Sequence, residues 1–169
     1  MPVVRRVGRL IGFSVIAGAL TTIAVPSQAA LIMHRVLPLS IARTIAEATI
    51  AACQTKGYAE SAVVVDADGE TIVIMRGDNA SPHTVENARR KAYTAMTFKQ
   101  TTADYAKKLN DGNPVVRQQV TLPNVIAIPG GVPIKVGDEI VGGIGASGSP
   151  GFDDDCVTAG LDAVKDQLQ

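Results

Sequence analysis

Imidazole is scarce in this 169-residue chain, whose two histidines are His34 and His83. A neutral imidazole is the commonest protein ligand for a transition metal, so these residues bound any chemistry that needs a ring nitrogen on a metal. His83 follows Ser81-Pro82, a capping side chain and then proline at the first helical position, where its missing N–H costs nothing. The free N–H groups and positive dipole end of such a helix disfavour a charged imidazolium. They favour the neutral ring, the form that donates a lone pair to iron. The bland alternative is a histidine that merely finishes a helix terminus. His34 lies in a stretch without period, Ala30 to Pro38, and is the poorer ligand. Thr84 offers a weak oxygen contact. Met75 and Met96 offer thioethers, although core filling is the usual role of methionine.

Four cations flank the same stretch: Arg76, Arg89, Arg90 and Lys91. A guanidinium grips a carboxylate through two parallel hydrogen bonds, and a helix N-terminus beside Arg76 is itself an anion site. The corner therefore also suits a small carboxylate such as a hydroxy acid. An ordinary solvated face is the competing reading for some of these side chains. Other chemistries find no support. The glycines at 142–148 lack the Gly-Lys-Ser/Thr ending of a phosphate loop. Gly145-Ala146-Ser147-Gly148 is one residue short of a nucleophile elbow. Asp153-Asp154-Asp155 reads more simply as acidic capping of a helix than as a calcium site. Cys53 and Cys156 match no zinc pattern; they form either a disulfide or two small buried residues on separate helices.

The length is that of one domain. Residues 1–29 differ in composition from the rest: Arg5, Arg6 and Arg9 precede an uncharged apolar run from Leu10 to Val25. Small residues Ser27 and Ala29 follow, which is the anatomy of a cleaved signal peptide. The run is shorter than the ~20 residues that cross a bilayer comfortably. The Arg5-Arg6 pair is in a poor setting for twin-arginine export. Cleavage would remove three arginines and no acid, leaving 13 Lys+Arg against 16 Asp+Glu. A weakly acidic chain without a basic stripe disfavours nucleic acid as a partner. Membrane contact is expected only through the signal segment before cleavage, and the compartment is periplasmic or extracellular.

The remainder, residues 30–169, reads as a single α+β domain. A helix is expected from Ser40 to a stop at Gly57. Strands at Ser61–Asp66 and Glu70–Arg76 flank an Asp68-Gly69 turn and form a hairpin. A helix follows over 82–99, with Val85, Ala88, Ala92 and Ala95 on its apolar face and Arg89, Arg90 and Lys91 on or beside the other, then a short one at 102–109. Residues 114–123 show no firm period. Three strands are expected at 124–128, 132–136 and 139–147, separated by Pro129-Gly130-Gly131 and Gly137-Asp138. Glycines 142, 143 and 145 in the last of these point to close approach by another backbone or a ligand. A terminal helix would present Val157, Leu161, Val164 and Leu168. Hairpins make the sheet mostly antiparallel and about five-stranded, with helices packed on it.

Several segments resemble the GlcG/HbpS family, also described as a haem-degrading domain of DUF336 type. They are Val63-Val64-Val65-Asp66-Ala67-Asp68-Gly69, Pro82-His83-Thr84-Val85, Arg90-Lys91-Ala92-Tyr93-Thr94-Ala95, Pro129-Gly130-Gly131-Val132-Pro133-Ile134, the Ile140–Gly148 run and Asp155-Cys156-Val157-Thr158-Ala159-Gly160-Leu161. The resemblance extends from about Leu39 to the end of the chain. It implies a profilin-like fold, a tendency to form homo-oligomers, and haem binding as seen in several members. On that footing His83 becomes the expected haem-iron ligand, with Thr84 beside it and Arg76, Arg90 and Lys91 as partners for propionates.

The expectation is an exported haem-binding protein acting as carrier, buffer or redox-linked accessory. The alternative is binding or processing of a small carboxylate, and a third reading is an accessory subunit that binds neither. No arrangement of nucleophile and base assigns a reaction, so haem degradation rests on resemblance only.

Overall fold

The computed structural model describes residues 31–169. The signal segment expected at 1–29 lies outside them. The elements run α1 (Leu39–Thr55), β1 (Ser61–Asp66), β2 (Thr71–Arg76), α2 (His83–Phe98), α3 (Thr102–Asn110), α4 (Pro114–Gln119), β3 (Gly131–Val136), β4 (Glu139–Ser147) and α5 (Asp153–Asp162), with a 3-10 turn at Lys165–Gln167. The expected terminal helix thus breaks after Asp162, although Val164 beyond it still packs into the core. Among the described residues, no helix is long and apolar enough to cross a membrane.

The sheet has four strands in the order β2-β1-β4-β3, antiparallel at every pairing. One strand fewer forms than the about five expected. Residues 124–128 carry the apolar content of a strand, but side chains of α2 take their backbone groups. Thr94 Oγ1 accepts from Ile126 N at 3.0 Å, and Arg90 donates to the Val125 carbonyl at 2.6 Å. A segment satisfied in this way has no ladder to join. The uncertain 114–123 stretch resolves into α4, started by Asn113, whose side chain accepts from Val115 N and Val116 N, and by Pro114 inside the first turn.

Strand β1 is buried on both faces, and its alternation divides the core. Ala62 and Val64 join Ile45, Ile50, Ile144, Val157 and others under α1 and α5. Val63 and Val65 point the other way, against Ala88 and Ala92 of α2. Helices therefore cover both faces of the sheet, and a third cluster around Tyr105, Val116 and Val125 ties α3 and α4 to the flank of α2.

The glycines of β4 are where α2 comes closest. A Cβ on Gly145 would lie 2.1 Å from the Ala88 carbonyl oxygen, and one on Gly143 would lie 2.4 Å from that of Ala92. Only glycine lets the helix lie so low on the strand. The consequence for function is direct: the start of α2, with His83, is held against the C-terminal end of β4.

Candidate functional site

At that junction lies a cleft of about 460 Å³, lined by Asn79, His83, Thr84, Lys91, Ile128 and Asp153 together with Ala59, Ser81, Asn87, Ser147, Gly148 and Pro150. The volume is within the range of small-molecule and cofactor sites. His83 is exposed at the mouth, at the first position of α2. The expected Ser81 side-chain cap does not form. Instead the Ser81 carbonyl accepts from Thr84 N at 3.1 Å and from Thr84 Oγ1 at 2.7 Å. Thr84 is buried, and its oxygen lies 2.8 Å from Ser61 Oγ. Since the Thr84 proton goes to Ser81, Ser61 is the donor in that pair. The threonine therefore braces α2 against β1.

Of the sequence-derived residues, His83, Thr84 and Lys91 meet in this cleft, and Arg76 and Arg90 are not among its lining. The cations are committed elsewhere. Arg76 donates from Nε at 2.8 Å and from a terminal nitrogen at 2.5 Å to the Ala80 carbonyl, closing the loop before α2. Arg90 holds Val125, and Arg89 pairs with Glu86 at 2.8 Å while also donating to Asn124. The Glu86 carboxyl is held below its ordinary range by that guanidinium. His34 borders a separate depression with Arg35, Asp66 and Asp68. Met96 packs on the core beneath α2, and Met75 borders a groove at the β2 edge.

Lys91 is 1% exposed and forms the floor. Its ammonium donates to Asp153 Oδ2 at 2.6 Å and to the Ala146 carbonyl at 2.8 Å. Asp153 Oδ1 accepts from Ser149 N at 2.9 Å and from Ser149 Oγ at 2.8 Å. Ser149 Oγ also lies 2.9 Å from Cys53 Sγ, which is bonded to Cys156 with a Cα separation of 5.5 Å. The disulfide between α1 and α5 thus abuts the turn that carries Ser149.

Behind this pair sits Glu60, 0% exposed, with no hydrogen-bond partner for either carboxyl oxygen among the described residues. Burial pushes its carboxyl up to about 7; the field of Asp153 adds to the rise, while Ser149 and Lys91 oppose it. Asp154, next to Asp153 in α5, also has its carboxyl raised by burial, although the Gly130 N–H it accepts at 2.7 Å pulls the other way.

Glu60, Asp153 and Ser149 were not recognised in the sequence as parts of a site. The signal that could have found them is Lys91, which is buried and not on or beside the polar face of its helix as expected. It falls on the buried stripe of α2 with Thr84, Ala88 and Ala95, and a buried lysine requires a carboxylate partner.

Comparisons with known proteins give this geometry a family. The profile described as "Haem degrading protein HbpS-like" matches residues 37–162. The chain belongs to the HbpS-like family. Protein GlcG of Escherichia coli strain K12 is 30% identical over 111 residues, covering 63% of this chain and 81% of GlcG. The crystal structure of HbpS superposes on the HbpS-like chain with a TM-score of 0.75 at 31% identity, covering 83% of this chain and 99% of HbpS. A PduOC complex with haem shares the fold, with a TM-score of 0.71, 24% identity, and coverage of 76% of this chain and 95% of that one.

Proposed function

We propose that this HbpS-like chain is an exported haem-binding protein whose His83 imidazole ligates the iron. The observation that carries the reading is the placement of His83 on a formed cleft beside the apolar side chains of Ile128, Pro150 and Ala59. The residues suit the group at the iron and at the ring: one imidazole donor and a partly apolar wall. They suit the propionates less well, because Arg76, Arg90 and Lys91 already have partners. Propionates would then meet solvent and the amides of Asn79 and Asn87 on the cleft lining. Haem would supply a redox-active iron. The protein's own part is to hold the imidazole at the start of α2, through the Thr84–Ser81 and Thr84–Ser61 contacts, and to keep the buried Lys91 charge neutralised.

The family description and the haem-bound PduOC of the same fold support this reading. The Cys53–Cys156 disulfide supports an oxidising compartment. Exposed Ile74, on an edge strand, supports assembly of copies through β2. A small carboxylate is the weaker ligand for this cleft, because the cation on its floor is spent on Asp153.

Titration with haemin should produce a saturable Soret band. His83→Ala should weaken haemin binding at least about tenfold, or roughly 1.4 kcal/mol, and change the Soret position, whereas His34→Ala should alter neither. An unchanged spectrum and affinity in His83→Ala would remove His83 as the ligand.

A further inference from the structure

Donors at the cleft floor run out before they reach Glu60. The Ser149 N–H and hydroxyl both serve Asp153 Oδ1, and the Lys91 ammonium serves Asp153 Oδ2 and the Ala146 carbonyl. The charged groups facing Glu60 are Asp153 of α5 and Lys91 of α2; Ser149, in the turn between β4 and α5, is its polar neighbour. A fully buried carboxylate without a donor is costly, and protonation is its usual escape. With Glu60 protonated, the cluster of Glu60, Asp153 and Lys91 is neutral. With Glu60 ionised, it carries one negative charge directly behind residues that line the cleft.

We propose that Glu60 is a proton-coupled determinant of ligand binding: filling the cleft with an anionic ligand is linked to retention of a proton on this buried carboxyl. The proposal rests on the cleft being the binding site, and takes haemin with its propionates as the ligand. A negative floor repels those carboxylates, so affinity falls as Glu60 ionises; by linkage the bound ligand strengthens the hold of Glu60 on its proton.

Two measurements on the wild type and Glu60→Gln test it, one of them without ligand. In the folded state the carboxyl is raised from 4.5 to about 7, so between those values the native state holds a proton that the unfolded chain has released. Its stabilising contribution is complete below 4.5 and lost as the pH rises through about 7. The unfolding equilibrium constant of the wild type, from urea denaturation, should therefore rise over that range by roughly two orders of magnitude relative to Glu60→Gln. Other titrating groups are common to both proteins and cancel in the comparison. In haemin titrations from pH 7 to pH 8, the wild type should lose affinity by up to about fivefold more than Glu60→Gln.

Parallel pH profiles of stability in the two proteins would overturn the buried-proton assignment. Equal pH dependence of haemin binding in the two would overturn the coupling. Failure of the wild type to bind haemin at either pH, with the stability difference intact, would overturn the haem reading and with it the ligand linkage, while upholding the protonated Glu60. A Glu60→Gln chain that fails to fold is replaced by Glu60→Leu, for which the same outcomes hold.

Discussion

Lys91→Met with Asp153 left in place will destabilise the domain by about 3–5 kcal/mol, measured by urea denaturation at neutral pH. The size follows from what remains. Asp153 is buried, and the variant takes away the ammonium 2.6 Å from its Oδ2. The Ala146 carbonyl loses its Lys91 donor as well. Asp153→Asn makes the converse error by leaving a buried ammonium without its counter-charge, and a loss of similar size is expected. The double variant Lys91→Met/Asp153→Leu should recover much of the loss, since removing both members of a buried pair is often nearly neutral. A Lys91→Met protein within 1 kcal/mol of the wild type would mean that the pair contributes no more than a surface salt bridge.

Cys53→Ser/Cys156→Ser is expected to cost about 4–5 kcal/mol, because the bridge closes a loop of 103 residues and the chain-entropy cost scales with the logarithm of loop length. The same loss should follow when the wild type is denatured under reducing conditions. α1 and α5 bury Ile45, Ile50 and Val157 in one cluster whether or not the sulfurs are joined, so the fold should persist in the variant while its midpoint falls. The effect is expected to reach the cleft through Ser149, which contacts both Cys53 and Asp153. A change in haemin affinity well below tenfold is consistent with this indirect route. No shift in the denaturation midpoint would show that native-state strain offsets the entropy term.

The legible parts of the molecule were those written in local chemistry. The β1–β2 hairpin follows from Asp66 and Gly69: Asp66 Oδ1 accepts from Asp68 N and Glu70 N, and Gly69 adopts a φ of +84°. The crowding of glycines in β4 did signal close approach, and what approaches is the α2 backbone. The start of α2, with His83 beside Thr84, was also recognisable. Strand 124–128 was misread because an apolar run cannot reveal that Thr94 and Arg90 will take its backbone groups. The cation-rich corner was overread for a related reason. Arg76, Arg89 and Arg90 are close to His83 in sequence, but Arg76 turns back onto the Ala80 carbonyl, Arg89 pairs with Glu86 of its own helix and reaches Asn124, and Arg90 holds the Val125 carbonyl. Glu60 and Asp153 reach Lys91 across long stretches of chain, and no spacing rule announces such a meeting.

The central claim, that His83 and its cleft hold the haem, is tested most directly by locating ferric haem on the isotope-labelled protein through paramagnetic broadening of backbone amide signals. Loss of signals from residues 79–91 and 147–153, which border the cleft, is the predicted result. Loss of signals instead from Leu39 to Arg43 and Ile72 to Met75, around the groove of about 580 Å³ at the β2 edge where Met75 could offer its sulfur, would contradict it.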